Sequence, residues 1–197
     1  MWYWLVRIFF KIVMSLFFRL KVEGKENLPK HYNYIIAVNH ASFLDPAVVG
    51  SVIPHKIYSV AMRDIYRIPW IKWLLPKLDV MPTGNFSRKA IDLLMNGQVV
   101  GLFPEGGCSH DGKLKEFRRG AALLAFKTGR PIVPCAVFGT YEALPVKKSI
   151  PKLVPLKLKI GKPIYFLKEF EEVIDDIKLQ EGTFRIRNAI KEMIDAG

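Results

Sequence analysis

Tyr34-Ile35-Ile36-Ala37-Val38-Asn39-His40-Ala41-Ser42-Phe43-Leu44-Asp45-Pro46-Ala47-Val48-Val49-Gly50-Ser51-Val52 is the stretch whose reading decides the fold. Tyr34 to Val38 is a short apolar run that ends in a polar loop, the pattern of a buried strand. Asp45-Pro46 then opens a helix to about Val52, with Asp45 expected as N-cap and Pro46 in the first turn. The same alternation continues outward. Ile57 to Met62 reads as a strand, Arg88 to Asn96 as a helix closed by Gly97, and Val99 to Phe103 as a strand. Gly120 to Lys127 is a small-residue helix closed by Gly129. Pro131 to Phe138 is a strand, and Leu156 to Ile160 alternates like a half-exposed one. Strand–helix alternation predicts an α/β domain with a sheet covered on both faces, its chemistry gathered in loops at strand ends.

Composition agrees with a folded domain that meets anions. The chain has 197 residues, half of them apolar and 24% charged, with mean hydropathy +0.15, which excludes disorder. Its net charge of +12 and pI near 9.7 call for an anionic partner: nucleic acid, a lipid headgroup or a small phosphorylated substrate. Charge is uneven, because Glu169 to Gly197 holds eight acids against four bases, leaving +16 on the first 168 residues. Between Ala143 and Lys168 lie Lys147, Lys148, Lys152, Lys157, Lys159, Lys162 and Lys168, with no acid among them. That run is either a solvated face or a docking surface. The acidic tail, with Phe170, Val173, Ile174 and Ile177 and later Phe184, Ile186, Ile190 and Ile194, reads as amphipathic helix. Cys108 and Cys135 form no disulfide framework and no metal-ligand spacing, so no metal site is expected and a reducing compartment fits.

Residues 1–20 read as a membrane-interface helix preceding the domain at 21–197. Only Arg7, Lys11, Ser15 and Arg19 interrupt the apolar run, and their four-residue spacing makes one slowly drifting stripe. Trp2, Trp4, Phe9, Phe10, Phe17 and Phe18, with Arg7 and Lys11 at the headgroups, are the expected membrane contacts. The uncharged run Ile12 to Phe18 is far shorter than the ~20 residues needed to span, so an in-plane helix is expected. A buried core helix is the plain alternative. Tyr66 to Leu78, with Trp70 and Trp73, is a second candidate for membrane contact.

Two loops carry the chemistry. In Asn39-His40-Ala41-Ser42-Phe43-Leu44-Asp45, the histidine and aspartate would diverge by about 140° on one continuous helix. They can meet only if His40 precedes the helix and Asp45 begins it. A carboxylate on one imidazole nitrogen fixes the tautomer and makes the other nitrogen a better base. The second loop runs Phe103-Pro104-Glu105-Gly106-Gly107-Cys108-Ser109-His110-Asp111-Gly112, followed by Phe117-Arg118-Arg119-Gly120-Ala121-Ala122. A Glu-Gly-Gly turn can aim backbone amides at an anion, and arginines entering a helix suit a phosphate.

Taken together, these segments resemble the glycerolipid acyltransferases. Asn39 to Asp45 is similar to their His-x4-Asp block, Phe103-Pro104-Glu105-Gly106 to their third block, and Val133-Pro134-Cys135-Ala136-Val137-Phe138-Gly139-Thr140 to their fourth. Val22 to Pro29 looks like the family's lead-in, and the resemblance covers roughly residues 20 to 165. Within the family it is closest to lysophosphatidic acid acyltransferases of bacterial size. The resemblance implies a central mixed sheet flanked by helices. It implies transfer of an acyl chain from an acyl thioester, of coenzyme A or acyl carrier protein, to the hydroxyl of lysophosphatidic acid. His40 would be the general base and Asp45 its orienting partner, with no cofactor beyond the donor. Asn39, Ser42, Glu105, Gly106, Gly107, Arg118 and Arg119 would shape the substrate site. An anionic membrane surface, on the cytoplasmic face of the cell membrane, would be a partner and nucleic acid would not.

The pattern departs from the family twice. Thr83 stands where the second block usually ends in arginine, and Gly107-Cys108-Ser109 stands where the third continues Thr-Arg-Ser. Arg118, with Arg119 and Arg88, is expected to compensate. Two rival readings remain open in sequence: a thioesterase using Cys108 with His40 or His110, and a non-catalytic basic module on nucleic acid or membrane.

Overall fold

In the computed structural model, which describes residues 2–31, 33–61, 75–82, 86–171 and 173–197, seven strands form one mixed sheet. They are β1 (Lys21–Glu23), β2 (Ile35–Val38), β3 (Ile57–Ala61), β4 (Val80–Pro82), β5 (Val99–Leu102), β6 (Ile132–Phe138) and β7 (Lys157–Ile160). Their order is β1-β7-β6-β2-β5-β3-β4, so β2 is the middle strand. It runs parallel to both neighbours, with Ile35 opposite Val100 of β5 and Ile132 of β6. β7 is antiparallel to β6 and parallel to β1. All of β2 is buried, as its apolar run requires of a parallel strand covered on both faces.

The helices are α1 (Trp2–Leu16), α2 (Asp45–Val52), α3 (Phe86–Met95), α4 (Gly120–Thr128), the single turn α5 (Thr140–Ala143) and α6 (Asp176–Asp195). Alternate residues of β2 feed two cores. Ile36 and Val38 pack with Val48 and Val49 of α2 and with Met14 and Phe18 from the α1 side. Ile35 and Ala37 pack with Leu94 of α3, Ala121 to Ala125 of α4, and Ile186 and Ile190 of α6. The α/β class, the mixed sheet and the helices on both faces are as the sequence predicts.

Several local expectations are corrected. Asp45 is the first residue of α2 and Leu44 its N-cap. The Asp45 carboxylate looks back at the loop before it, not forward into the helix. The edge strands β1 and β4 escape the sequence reading because three residues carry no period. In the acidic tail the Asp175 side chain accepts from Ile177 N, and α6 begins only at Asp176. Phe170 and Val173 therefore lie outside the helix and are exposed, while Ile174 is buried. Within α6, Phe184 is exposed although it was read with the apolar face. Of the Tyr66 to Leu78 candidate, 66–74 lies outside the described residues, and Leu75–Leu78 forms a 3-10 turn. Thr83 also lies outside them.

Helix α1 is fastened to the body. Tyr3 Oη accepts from Ile57 N at 2.9 Å, and Arg7 Nε donates to Gly50 O at 3.2 Å. Among the expected membrane contacts Trp2, Trp4, Phe9, Lys11 and Phe17 are exposed. Phe18 is in the core and Phe10 packs against it, because the helix uses its Phe10-Val13-Met14 side to cover the sheet. Leu5, Ile8, Phe9, Ile12 and Leu16 form a continuous outward stripe. No helix among the described residues is long and apolar enough to cross a membrane.

Candidate active site

Because β5, β2 and β6 are adjacent and parallel, the loops at their carboxyl ends converge, the usual place for a site in such sheets. His40 leaves the end of β2 and Asp45 opens α2. His40 Nδ1 and Asp45 Oδ2 are 2.8 Å apart. The same Oδ2 accepts from Ala41 N and Ser42 N, each at 2.8 Å. Asp45 is fully buried, whereas the His40 side chain keeps 13% exposure. A buried carboxylate that takes three donors holds the loop in one shape and leaves the imidazole a single orientation. Asp45 only accepts, so the His40 proton sits on Nδ1 and the lone pair on Nε2. The ring also stacks on Phe103, with centroids 4.1 Å apart at 23°.

Nε2 faces Cys108, whose Sγ lies 3.1 Å away. Burial, with the negative charges of Asp45 and Glu105, pushes the Cys108 thiol up to about 12, against the pull of Lys115. It therefore stays S–H and donates to Nε2. A low-pKa thiolate is what the thioesterase reading needs, and this environment produces the opposite. His110, its other proposed base, is exposed.

Glu105 ties the two loops together. Its Oε1 accepts from His40 N at 2.7 Å and its Oε2 from Lys115 N at 3.1 Å. Burial raises its carboxyl above the ordinary range, and those two backbone donors oppose the rise. Ser109 N adds a third link by donating to His40 O at 2.7 Å. Gly106 turns the chain at φ +74°, and a Cβ there would fall 2.3 Å from Arg118 Nε. Only glycine lets the Arg118 side chain lie over the turn. Gly107 follows, half-buried.

Asn39 and Ser42 are spent inside the protein. Asn39 Nδ2 donates to Val137 O at 3.1 Å while its Oδ1 accepts from Val137 N at 2.7 Å, so its amide adds one more rung between β2 and β6. Ser42 Oγ donates to Leu144 O at 2.7 Å and accepts from Leu44 N at 3.1 Å. Both hold the His40 loop in place instead of facing it. Arg119 is the N-cap residue of α4, and its guanidinium pairs with Asp176 of α6. Arg88 is exposed on α3. Lys115 was missed in sequence: its Nζ donates to Cys108 O at 3.1 Å, beside the base. It lies in an irregular segment between β5 and α4 whose spacing carries no signal. Among the described residues no three metal-ligating side chains cluster.

The site brings an imidazole oriented by a buried aspartate, with Lys115 and Arg118 on the adjoining loop, to the carboxyl end of a mixed sheet, an arrangement chemically able to take up a proton at Nε2. The chain belongs to the Acyltransferase family, whose model matches residues 19–138. The 1-acyl-sn-glycerol-3-phosphate acyltransferase of Bacillus subtilis (strain 168) is 32% identical over 191 residues, 93% of this chain and 92% of that protein. The chloroplastic 1-acyl-sn-glycerol-3-phosphate acyltransferase BAT2 of Brassica napus is 30% identical over 83% of this chain, which spans 50% of that longer protein. The crystal structure of the 1-acyl-sn-glycerophosphate (LPA) acyltransferase PlsC from Thermotoga maritima superposes with a TM-score of 0.78 at 27% identity. That match covers 97% of this chain and 79% of PlsC.

Proposed function

We propose that this protein is a 1-acylglycerol-3-phosphate O-acyltransferase, forming phosphatidic acid from lysophosphatidic acid and an acyl thioester. The observation that carries the reading is the His40–Asp45 pair at 2.8 Å, with Nε2 left as the reactive nitrogen. Nε2 takes the proton of the acceptor hydroxyl as its oxygen attacks the thioester carbonyl. Asp45 balances the imidazolium that forms. Collapse of the tetrahedral adduct breaks the C–S bond, and His40 returns the proton to the departing thiolate. The acceptor hydroxyl must displace the Cys108 thiol from Nε2. Arg118 over Gly106 and Lys115 at Cys108 O supply positive charge for the acceptor's phosphate.

The donor is an acyl thioester of coenzyme A or acyl carrier protein, and both are anionic. Exposed Lys147, Lys148 and Lys152 attract either one, with the acidic carrier protein favoured by spread charge. Lys157 and Lys159 belong less to this field, because they donate to the Gly197 and Ala196 carbonyls at the end of α6. The outward apolar stripe of α1 seats the protein on the cytoplasmic face of the cell membrane as a peripheral or monotopic enzyme, where lysolipid resides. Purified protein and His40→Ala assayed with acyl-coenzyme A and acyl carrier protein thioesters test the reading. Phosphatidic acid from lysophosphatidic acid, lost in the variant, is expected. Turnover with glycerol 3-phosphate alone would reassign the acceptor, and equal rates in the variant would remove His40 as base.

A further inference from the structure

Away from the catalytic loop, a cavity of about 320 Å³ opens between the end of α1 and the segment before β7. It is lined by Leu16, Phe17, Arg19, Leu153, Val154 and Pro155. The two walls are joined by backbone bonds: Leu156 N donates to Phe18 O, and Lys21 N to Leu156 O, each at 2.9 Å. Five of the six lining residues carry apolar side chains, three of them unusually exposed, with Leu16 at 70%, Phe17 at 56% and Leu153 at 65%. One cation belongs to the lining, Arg19, and none of the ion pairs among the described residues involves it.

Arg19 is held in the left-handed region, at φ +47°. It lies three residues past the end of α1, just before Leu20, whose N reaches back to Met14 O at 3.1 Å. Glycine adopts this conformation freely and arginine does not. Its backbone requirements alone would select glycine, so the side chain is the part that earns the position.

The chemistry of the cavity is that of an amphiphile: apolar walls for the upper part of an acyl chain, and a guanidinium that can take a phosphate with two parallel hydrogen bonds. The acid-free stretch that carries Lys147, Lys148 and Lys152 leads into the cavity wall at Leu153. The cavity sits at the active-site end of the sheet, because β1 begins where Lys157 pairs with both Lys21 and Phe138, the carboxyl end of β6. We propose that this cavity binds one anionic glycerophospholipid of the bilayer, phosphate on Arg19 and acyl chain against Leu16, Phe17 and Leu153, and so holds the catalytic end against the membrane. The inference rests on the membrane seating proposed above.

The test is co-sedimentation of the full chain with vesicles of phosphatidylcholine alone and of phosphatidylcholine with phosphatidylglycerol, comparing wild type, Arg19→Gly and Arg19→Lys. Arg19→Gly is expected to lose about tenfold in partition onto the anionic vesicles, to change less than twofold on the neutral ones, and to melt about 2–4 °C higher. Arg19→Lys keeps the charge and is expected to lose at least threefold. Turnover in detergent with a short-chain lysophosphatidic acid stays within twofold for both variants. Equal anionic binding by Arg19→Gly and wild type would overturn the site, and unchanged binding by Arg19→Lys would reduce it to nonspecific attraction. Displacement from anionic vesicles by millimolar inorganic phosphate at fixed ionic strength would assign the cavity to free phosphate and overturn the lipid. Wild type that ignores both vesicles would overturn the membrane seating as well, whereas wild type that binds both equally would overturn this inference alone.

Discussion

Replacing Asp45 by asparagine isolates the charge at the back of the proposed catalytic pair. The carboxylate is fully buried, and Oδ2 takes His40 Nδ1, Ala41 N and Ser42 N, all at 2.8 Å. Asparagine can keep all three with its oxygen, so the loop retains its shape. The amide nitrogen then lands where Oδ1 is now, an atom that is buried without a hydrogen-bond partner among the described residues. An unsatisfied donor there costs about 1–3 kcal/mol of stability, a fall of roughly 2–12 °C in the unfolding midpoint for a chain of this size. The larger effect is on the rate. Opposite unit charges about 4 Å apart attract by about 4 kcal/mol at an effective dielectric near 20. That attraction exists only once His40 is protonated, in the transition state, so its loss removes about three decades of kcat. KM for lysophosphatidic acid should stay within threefold, because Asp45 is out of reach of the acceptor. Initial rates in detergent, with thermal unfolding of the same preparation, measure both. A folded Asp45→Asn enzyme that keeps a tenth of kcat would refute the charge-balancing role, and a loss confined to KM would place Asp45 in substrate binding.

Three further outcomes follow from the site. Cys108→Ala should keep kcat within about threefold, and wild type should resist N-ethylmaleimide at neutral pH, because a thiol held as S–H offers almost no thiolate to alkylate. A loss as deep as that of His40→Ala would instead make sulfur the nucleophile. Asn39→Ala strands the buried N–H and C=O of Val137 at about 1–3 kcal/mol each, so calorimetry should show the midpoint falling by more than 4 °C, and a smaller fall would mean water replaces the amide. Arg118→Ala should raise KM for lysophosphatidic acid at least tenfold and matter less for an acceptor without phosphate. Arg119→Ala, tied to Asp176 at the surface, should leave both within twofold. Unchanged acceptor kinetics in Arg118→Ala would move the phosphate to Lys115.

The parts of the fold that could be read from sequence are those where one short segment carries its own period. β2 is legible because a middle parallel strand is buried on both faces and must be apolar throughout, and Gly97 and Gly129 mark helix ends because a left-handed residue is needed there. β1 and β4 were not legible. Each has three residues, and each exists because a longer neighbour offers it backbone partners: Lys157 to Lys159 in one case, Ser59 to Ala61 in the other. The tail failed for a different reason. Phe170, Val173 and Ile174 keep helical spacing, but the Asp175 side chain caps the helix at its own position and the apolar residues before it are left on the outside, save Ile174.

At the site, the same division separates residues that act locally from those that act through strand order. His40 and Asp45 were legible as a pair because their meeting depends only on a helix starting at Asp45. Asn39 and Ser42 sit in the same block and look equally chemical, yet their partners are Val137 and Leu144, about a hundred residues on. Only the adjacency of β6 to β2 brings those carbonyls within reach, and no spacing in the chain encodes it. Glu105 reaches His40 N for the corresponding reason on the other side, through β5. Arg118 and Arg119 show the limit most sharply, since they are neighbours of one residue type and sequence assigns them one role. Arg118 lies outside α4, which begins at Gly120 with Arg119 as its N-cap, so helical geometry does not tie the two side chains to one face. Arg118 lies over Gly106 at the site, while Arg119 turns to Asp176 on α6. The position of the turn before α4, and not the identity of the residues, decides which arginine can hold a phosphate.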